Sequence, residues 1–495
     1  MDKKLKPEQF IQHAEVIQCL TELKSRFGDN LENLLVSDTL DEENHQYVNL
    51  VQKGGGVLGV ALVGYTYILE QAGIRFLRLA GTSAGAINTS LLAVIGNKQD
   101  KKSEKILQYL CELNFFDLVD GHPIARWLIK KIITKKKFER QLRRYAIILG
   151  ISLVSIFVIN GLFLGLGNYF NWAKMLTAIL FYVFLFLLVI TASVAFIGNY
   201  LLKRFKRSGF GVNPGQFFYD WMKERMEENG VSTTTALNQR VAALPNLRVR
   251  KPLTQNASTL FSDVSFICSE LVTENKIEFP RMCHLFRENI DALHPAGFVR
   301  ASMSIPIFFE SFLIDEIPAT PAIKKAWADC FDPDMTVPRS ARFVDGGILS
   351  NFPINIFYNP AIIEPRVPSF GIDLDDSDPT APAQDNVETW SLMNYVGRMF
   401  NTIRFYYDKD FLLKNKVFKK GIGTIPLAEF NWLNFFLSDE DKLKMFVKGA
   451  RAATEFLKTF NWEQYQQERV EMQTVLNDKQ RPEKTAQAVI AKSHI

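Results

Sequence analysis

An α/β fold around a mainly parallel sheet, interrupted by a two-helix membrane hairpin, is the architecture this sequence predicts. Three observations predict it. Between residues 45 and 94, apolar runs of strand length alternate with runs of helical periodicity, the order that a parallel sheet with crossover helices produces. Two uncharged stretches, 145–173 and 175–202, each exceed the ~20 residues an apolar helix needs to cross a bilayer. The composition, 47% hydrophobic and 22% charged over 495 residues, is globular and allows two or three ordinary domains or one large domain with insertions.

Residues 1–44 read as a polar helical segment. A first part of the core fold follows over 45–130. "HQYVNLVQ" (45–52) reads as a strand and runs into the glycine-rich "KGGGVLG". "VALVGYTYILEQAG" carries apolar residues at helical spacing, with Gly73 as its C-terminal stop. Residues 76–80 give the next strand and Ala84–Val94 the next helix.

The hairpin occupies 131–207. "GLGNYFNWAK", from Gly165, has the glycines and asparagines of a turn and the aromatic residues of a bilayer interface. "KKIITKKKFERQLRR" before the hairpin holds eight basic residues and one glutamate, and "KRFKR" follows it. Basic outer flanks place both ends, and everything attached to them, on the cytoplasmic face, and they attract anionic headgroups. The alternative is a buried helical pair in a large soluble core; against it, soluble helices keep a polar face and these do not.

A second part of the core fold covers 208–435. It opens on a helix capped by Asn213, with Pro214 in its first turn and Gly230 at its end. "VSFICSELVT" (264–273) and "SFGIDL" (369–374) read as strands, and "RFVDGG" (342–347) as a short strand entering a turn. "DLDDSDPTAPAQDN" (373–386) reads mostly as a solvated loop, since its aspartate spacing matches no calcium loop. Residues 436–495 form a C-terminal helical segment.

Charge and cysteine content narrow the function. A formal net charge of +5 is too small to argue for nucleic acid. Five scattered cysteines without a CxxC pair speak against a disulfide framework and for a reducing compartment. No cleavable secretion signal is visible behind the N-terminal lysines. Forty phenylalanines suggest lipid contact or a large apolar core.

The chemistry centres on Ser83. Gly81-Thr82-Ser83-Ala84-Gly85 matches GxSxG between a strand and a helix, the setting of a nucleophile elbow. The glycines Gly81 and Gly85 let the turn tighten, and the helix start faces developing negative charge. An ordinary glycine-rich strand-to-helix turn is the plainer alternative. Gly54, Gly55 and Gly56, at an earlier strand-to-helix junction, can offer backbone N–H donors as an oxyanion hole. A phosphate loop competes, but the GKS/GKT ending is missing; the loose GxGxxG match lacks the acidic residue of a dinucleotide site. The six histidines (13, 45, 122, 284, 294 and 494) do not give the serine–acid–histidine order of an α/β-hydrolase with a usable last member. A serine activated directly by a carboxylate fits better. Asp345 is the best candidate, at a strand end before two glycines, although an Asp-Gly turn reads the same locally.

Four ordered motifs together resemble the patatin-like phospholipase family: "GGGVLG" at 54–59, "GTSAGAIN" at 81–88, "ASMSIPIFF" at 301–309 and "DGGILSNFPI" at 345–354. The resemblance covers residues 45–110 and 210–460. It implies a three-layer α/β/α fold, a Ser83–Asp345 dyad, an oxyanion hole at Gly55 and Gly56, and hydrolysis of phospholipid or related acyl esters without cofactor, metal or histidine. Two departures stand out. Leu58 occupies a position where the family usually has Arg or Lys, with Lys53 as a possible substitute, and the hairpin is an insertion most members lack. The expected partners are membrane acyl lipids and the bilayer. A histidine-dependent esterase and a non-enzymatic lipid-binding scaffold are the other two readings.

Overall fold

The computed structural model describes residues 5–123, 126, 138–166, 169–207, 209–250, 260–376 and 392–474. The chain divides into two compact units: residues 1–119, 215–306 and 311–495 form one, and residues 120–214 with 307–310 form the other.

The first unit opens with short helix α1 (Pro7–Ile11) and with α2 (Ala14–Phe27), which stops at Gly28. Strands β1 (Thr39–Leu40) and β2 (Gln46–Gln52) follow. Gly54–Gly56 then lead through a 3-10 turn into α3 (Val60–Gln71), and Gly73, at φ +74°, releases the chain into β3 (Ile74–Thr82). Helix α4 spans Ala84–Val94, the bounds the apolar spacing predicts, and α5 spans Ser103–Glu112.

The second unit contains α6 (Phe138–Leu166) and α7 (Asn171–Arg207), an antiparallel pair in sequence order, with Phe157 against Phe184 and Phe163 against Trp172 at ring separations of 5.9 Å. Within them Ile147–Leu166 and Trp172–Arg207 contain 18-residue windows of mean hydropathy 2.5 and 2.7, long and apolar enough to cross a membrane. Their most apolar windows are not buried by protein at all. Strand β4 (Gly211–Asn213) of this unit pairs in parallel with β8 (Ile307–Phe309).

Back in the first unit come α8 (Gln216–Glu228), α9 (Thr234–Ala242), β5 (Arg248–Val249), β6 (Val264–Glu270) and β7 (Asn275–Phe279). Then come α10 (Pro295–Ser302), β9 (Phe312–Ile314), α11 (Pro321–Cys330), β10 (Ala341–Asp345) and β11 (Ser369–Asp375). Helix α12 (Leu392–Lys414), β12 (Ile422–Pro426) and α13 (Asp439–Thr459) close the described fold. Helix α8 corrects an expectation. Its N-cap is Gly215, at φ +70°, not Asn213, because Asn213 is a strand residue whose amide serves β4: Nδ2 donates to the Phe308 carbonyl at 2.8 Å and Oδ1 accepts from the Gly121 N–H at 3.1 Å. Of the acidic stretch 373–386, residues 373–375 finish β11; those from 377 onward lie outside the described residues.

A single sheet of ten strands is the core. Its centre, in the order β12, β11, β2, β3, β6, is parallel throughout. Strands β7, β9 and β10 are antiparallel additions on the β6 side. Helix α4 packs on β3, α10 on β6, and α13 on α3 and β12. The class is therefore the expected α/β fold, with a large, mainly parallel central sheet between helices.

Candidate active site

The edges of β6 set the geometry. Strand β7 runs along Phe266–Glu270 on one edge. The other edge is shared: β3 covers Val264–Ile267, and β10 covers Cys268–Glu270 from the opposite direction. Thr82 faces Ile267 and Asp345 faces Cys268. The two strands therefore run head to head and end one residue step apart, about 3.3 Å along β6. Ser83 and Asp345, distant in sequence, stand side by side at this junction. Both side chains are buried.

Ser83 leaves β3 at φ +53°, ψ −121°, a backbone position that strains any non-glycine residue by about 1–3 kcal/mol. Its surroundings hold it there. The Ser83 N–H donates to Ser302 Oγ at 3.0 Å, and Ser302 Oγ–H donates to the Ile267 carbonyl at 2.6 Å, so α10 bolts the elbow to β6. The glycines around it are required by space. A side chain at Gly81 would strike the Gly85 carbonyl, and one at Gly85 would strike the Gln52 carbonyl. Strand end, helix start and the end of β2 thus pack backbone to backbone.

Asp345 is held by the turn after it: the Gly347 N–H donates to Oδ1 at 2.7 Å, and the Asp345 N–H donates to the Ser304 carbonyl at 2.8 Å. Gly346 passes so close to the Ile267 carbonyl that no side chain fits. Cys268, beside Asp345, has its thiol pushed well up by burial, with the aspartate's charge adding to the effect.

The glycine loop lies against the elbow. A Cβ on Gly54 would sit 3.0 Å from Ser83 Cβ. The Gly54 N–H, however, already donates to the Asn351 carbonyl at 3.0 Å, while Asn351 Nδ2 donates back to the Gly54 carbonyl at 3.2 Å. Gly54 is therefore a fixed point of the loop. Among the described residues, no acceptor takes the N–H of Gly55 or Gly56. Leu58 is buried. Lys53 does not stand in for the missing cation, because its ammonium is bound to Asp373 at 2.6 Å and to the Leu374 carbonyl at 2.9 Å.

Three residues beyond the sequence reading support this site. Ser302 lies inside a quoted motif, but only the fold shows its bond to the elbow. Asn351 latches the acid-bearing turn to the glycine loop. Asp408 on α12 is buried and accepts from Ser350 Oγ at 2.8 Å and from the Phe352 N–H at 2.9 Å; burial raises its pKa. The Ser350 carbonyl in turn accepts from Thr82 Oγ1 at 3.0 Å. Residues 350–352 thus connect the nucleophile strand, the glycine loop and α12. A polar residue on a long amphipathic helix gave no sequence signal for this.

Four of the six histidines are engaged elsewhere. His13 and His294 cap α2 and α10 through Nδ1, His45 binds Asp41 at 3.0 Å, and His284 Nδ1 contacts the Arg281 carbonyl at 2.9 Å; His494 lies outside the described residues. Among the described residues, no group of three His, Cys, Asp or Glu side chains could hold a metal ion.

The "Patatin-like phospholipase" family model matches residues 50–358, and the chain belongs to that family. At the level of the family, this is a lipid acyl hydrolase fold. The chain is also similar to the protein YqhO of Bacillus subtilis (strain 168), 24% identical over 416 residues that span 84% of this chain and 100% of that one. A likeness to VipD from Legionella pneumophila covers 86% of this chain and 70% of that one at 13% identity, with a TM-score of 0.34, too low to carry an argument.

Proposed function

We propose that this protein is a membrane-anchored serine acyl hydrolase that cleaves lipid carboxylic esters through Ser83 and Asp345. The observation that carries the reading is the head-to-head meeting of β3 and β10 on one edge of β6. Ser83 Oγ attacks the ester carbonyl as its proton passes to the Asp345 carboxylate. The N–H groups of Gly55 and Gly56 receive the oxyanion. Asp345 then returns the proton to the departing alkoxide, leaving an acyl-serine. Water, deprotonated by the same aspartate, releases the fatty acid and restores Ser83. An apolar crevice of about 40 Å³ between Gly56, Val60, Ala84, Ile87, Leu91 and Phe115 has room for only the first carbons of an acyl chain next to the ester. The α6–α7 hairpin holds the enzyme at the bilayer with its basic flanks on the cytoplasmic side, which raises the effective concentration of substrate.

A lipid-binding scaffold without turnover is the second reading. It is favoured by the buried Leu58 and by the engagement of Lys53 with Asp373, which leave the oxyanion to backbone dipoles alone. A fluorophosphonate probe on the purified full-length protein separates the two. Labelling at Ser83, with ester hydrolysis reduced at least ~1,000-fold in both Ser83→Ala and Asp345→Asn, is the expected result. An unlabelled wild-type protein supports the scaffold instead, and full activity in Ser83→Ala removes Ser83 as nucleophile.

A further inference from the structure

A second cavity, of about 320 Å³, opens at the middle of the same strands, far from the dyad. Asn49 of β2 and Arg78 of β3 line it. Arg78 precedes Ser83 by five residues on an extended strand, which separates the two by roughly 16 Å. Three arginines line this cavity: Arg78, Arg366 and Arg469.

Their surroundings are unusual for arginine. Arg469 is 4% exposed, and its Nη1 has no hydrogen-bond partner; the Nε of Arg366 is likewise buried and unpartnered. Among the described residues none of the three forms an ion pair. Two of them lie on aromatic rings, and Arg469 Nη2 also donates to the Ile362 carbonyl at 3.5 Å. Arg78 lies over Phe261 and Phe357 at 5.0 and 4.9 Å, and Arg469 over Tyr358 and Phe418, both at 5.0 Å. Arg78 Nε donates to Asn49 Oδ1 at 2.9 Å, and its desolvation lowers its pKa to about 10. Buried positive charge with unused donors is costly unless an anion meets it. Arginine forks match carboxylate and phosphate oxygens, and rings beside them suit an apolar body.

We infer that this cavity is a binding site for an amphiphile with a single oxyanion head, carboxylate or phosphate, seated between Arg366 and Arg469 with its apolar body against Phe357 and Tyr358. The site is separate from the dyad and does not depend on hydrolysis there. The two sources of such a head are a free fatty acid and a lipid phosphate, and both can be tested with short soluble probes.

The experiment uses the full chain in nanodiscs, carrying Ser83→Ala so that nothing is turned over, and follows thermal stabilisation during titration with octanoate, octyl phosphate and octanol. Saturable stabilisation by one or both anions is expected, with little from octanol. Arg366→Gln, at a partly buried position, and Arg469→Gln are each expected to weaken binding about tenfold or more while the unliganded melting temperature of Arg366→Gln stays near that of the parent. The stronger anion identifies the source, fatty acid or phosphate. No saturable response to either anion overturns the inference. So does an equal response to octanol, or anion binding that survives in Arg366→Gln.

Discussion

Glycine sits within helices in both units of this protein, and its neighbours differ completely. In the first unit, the bare backbone of Gly64 on α3 admits the Phe446 carbonyl, and that of Gly449 on α13 admits the Ala61 carbonyl. The two helices touch through reciprocal notches, and their apolar side chains are buried. In the hairpin, Gly150, Gly161, Gly165 and Gly198 have nothing within 4 Å of where a side chain would be. Phe157 and Phe196 there are 67% and 75% exposed. Apolar composition alone therefore does not say what a helix is packed against. Length separates the cases: α4, at 11 residues, covers about 16 Å and can only be a core helix, whereas α7, at 37, exceeds a bilayer core.

The largest expected effect tests the hairpin's side of this contrast. Replacing residues 138–207 by a flexible glycine-serine linker should move the protein from an alkali-resistant membrane pellet to the soluble fraction. A variant that stays in the pellet would mean that other surfaces attach the chain, and the contrast between the two units would lose its physical meaning.

Next in size is the notch between α3 and α13. Gly64→Ala and Gly449→Ala each push a methyl group into a backbone carbonyl that belongs to another helix, so neither can be relieved by a rotamer change. Each should lower unfolding stability by about 3 kcal/mol, at the upper end of overpacking penalties. Chemical denaturation of the detergent-solubilised protein measures this. An unchanged midpoint would show that the helices separate freely.

Much of this was legible in the sequence, for a physical reason. Ser83, its flanking glycines and the bounds of α4 are set by local backbone demands, which short motifs record. The uncharged runs of the hairpin are equally local. What was hidden depends on partners distant in the chain. The head-to-head ends of β3 and β10 need β6 between them, and no local pattern fixes which edge a strand takes. Asn213 looked like a cap because it precedes Pro214, but a strand claimed it first. Lys53 looked available until β11 placed Asp373 beside it.

A smaller effect is expected where the hold is polar. Asp408→Asn keeps the shape but replaces one acceptor oxygen with a donor facing either Ser350 or the Phe352 N–H. Loss of one such bond to a charged acceptor should destabilise by about 1–3 kcal/mol. Because Asp408 acts on the turn that carries Asp345, kcat should fall several-fold while KM stays nearly constant, and Ser350→Ala should not add to the loss. Additive losses would place Asp408 outside the path to Asp345.

The smallest effect is predicted for the hairpin glycines, and it is the sharpest check on the opening contrast. Gly161→Ala and Gly198→Ala add a methyl group to open space on the helix exterior. In water, the better helix propensity of alanine would stabilise each helix by about 1 kcal/mol. In a bilayer the backbone is already held helical by the cost of unsatisfied amides, so the gain should be smaller still. Either substitution should therefore leave unfolding and membrane extraction unchanged within error, against the large loss at Gly64 and Gly449. A marked loss at Gly161 or Gly198 would mean that these glycines face a close partner in the membrane, such as the hairpin of a second copy, since small residues are what let helices approach there.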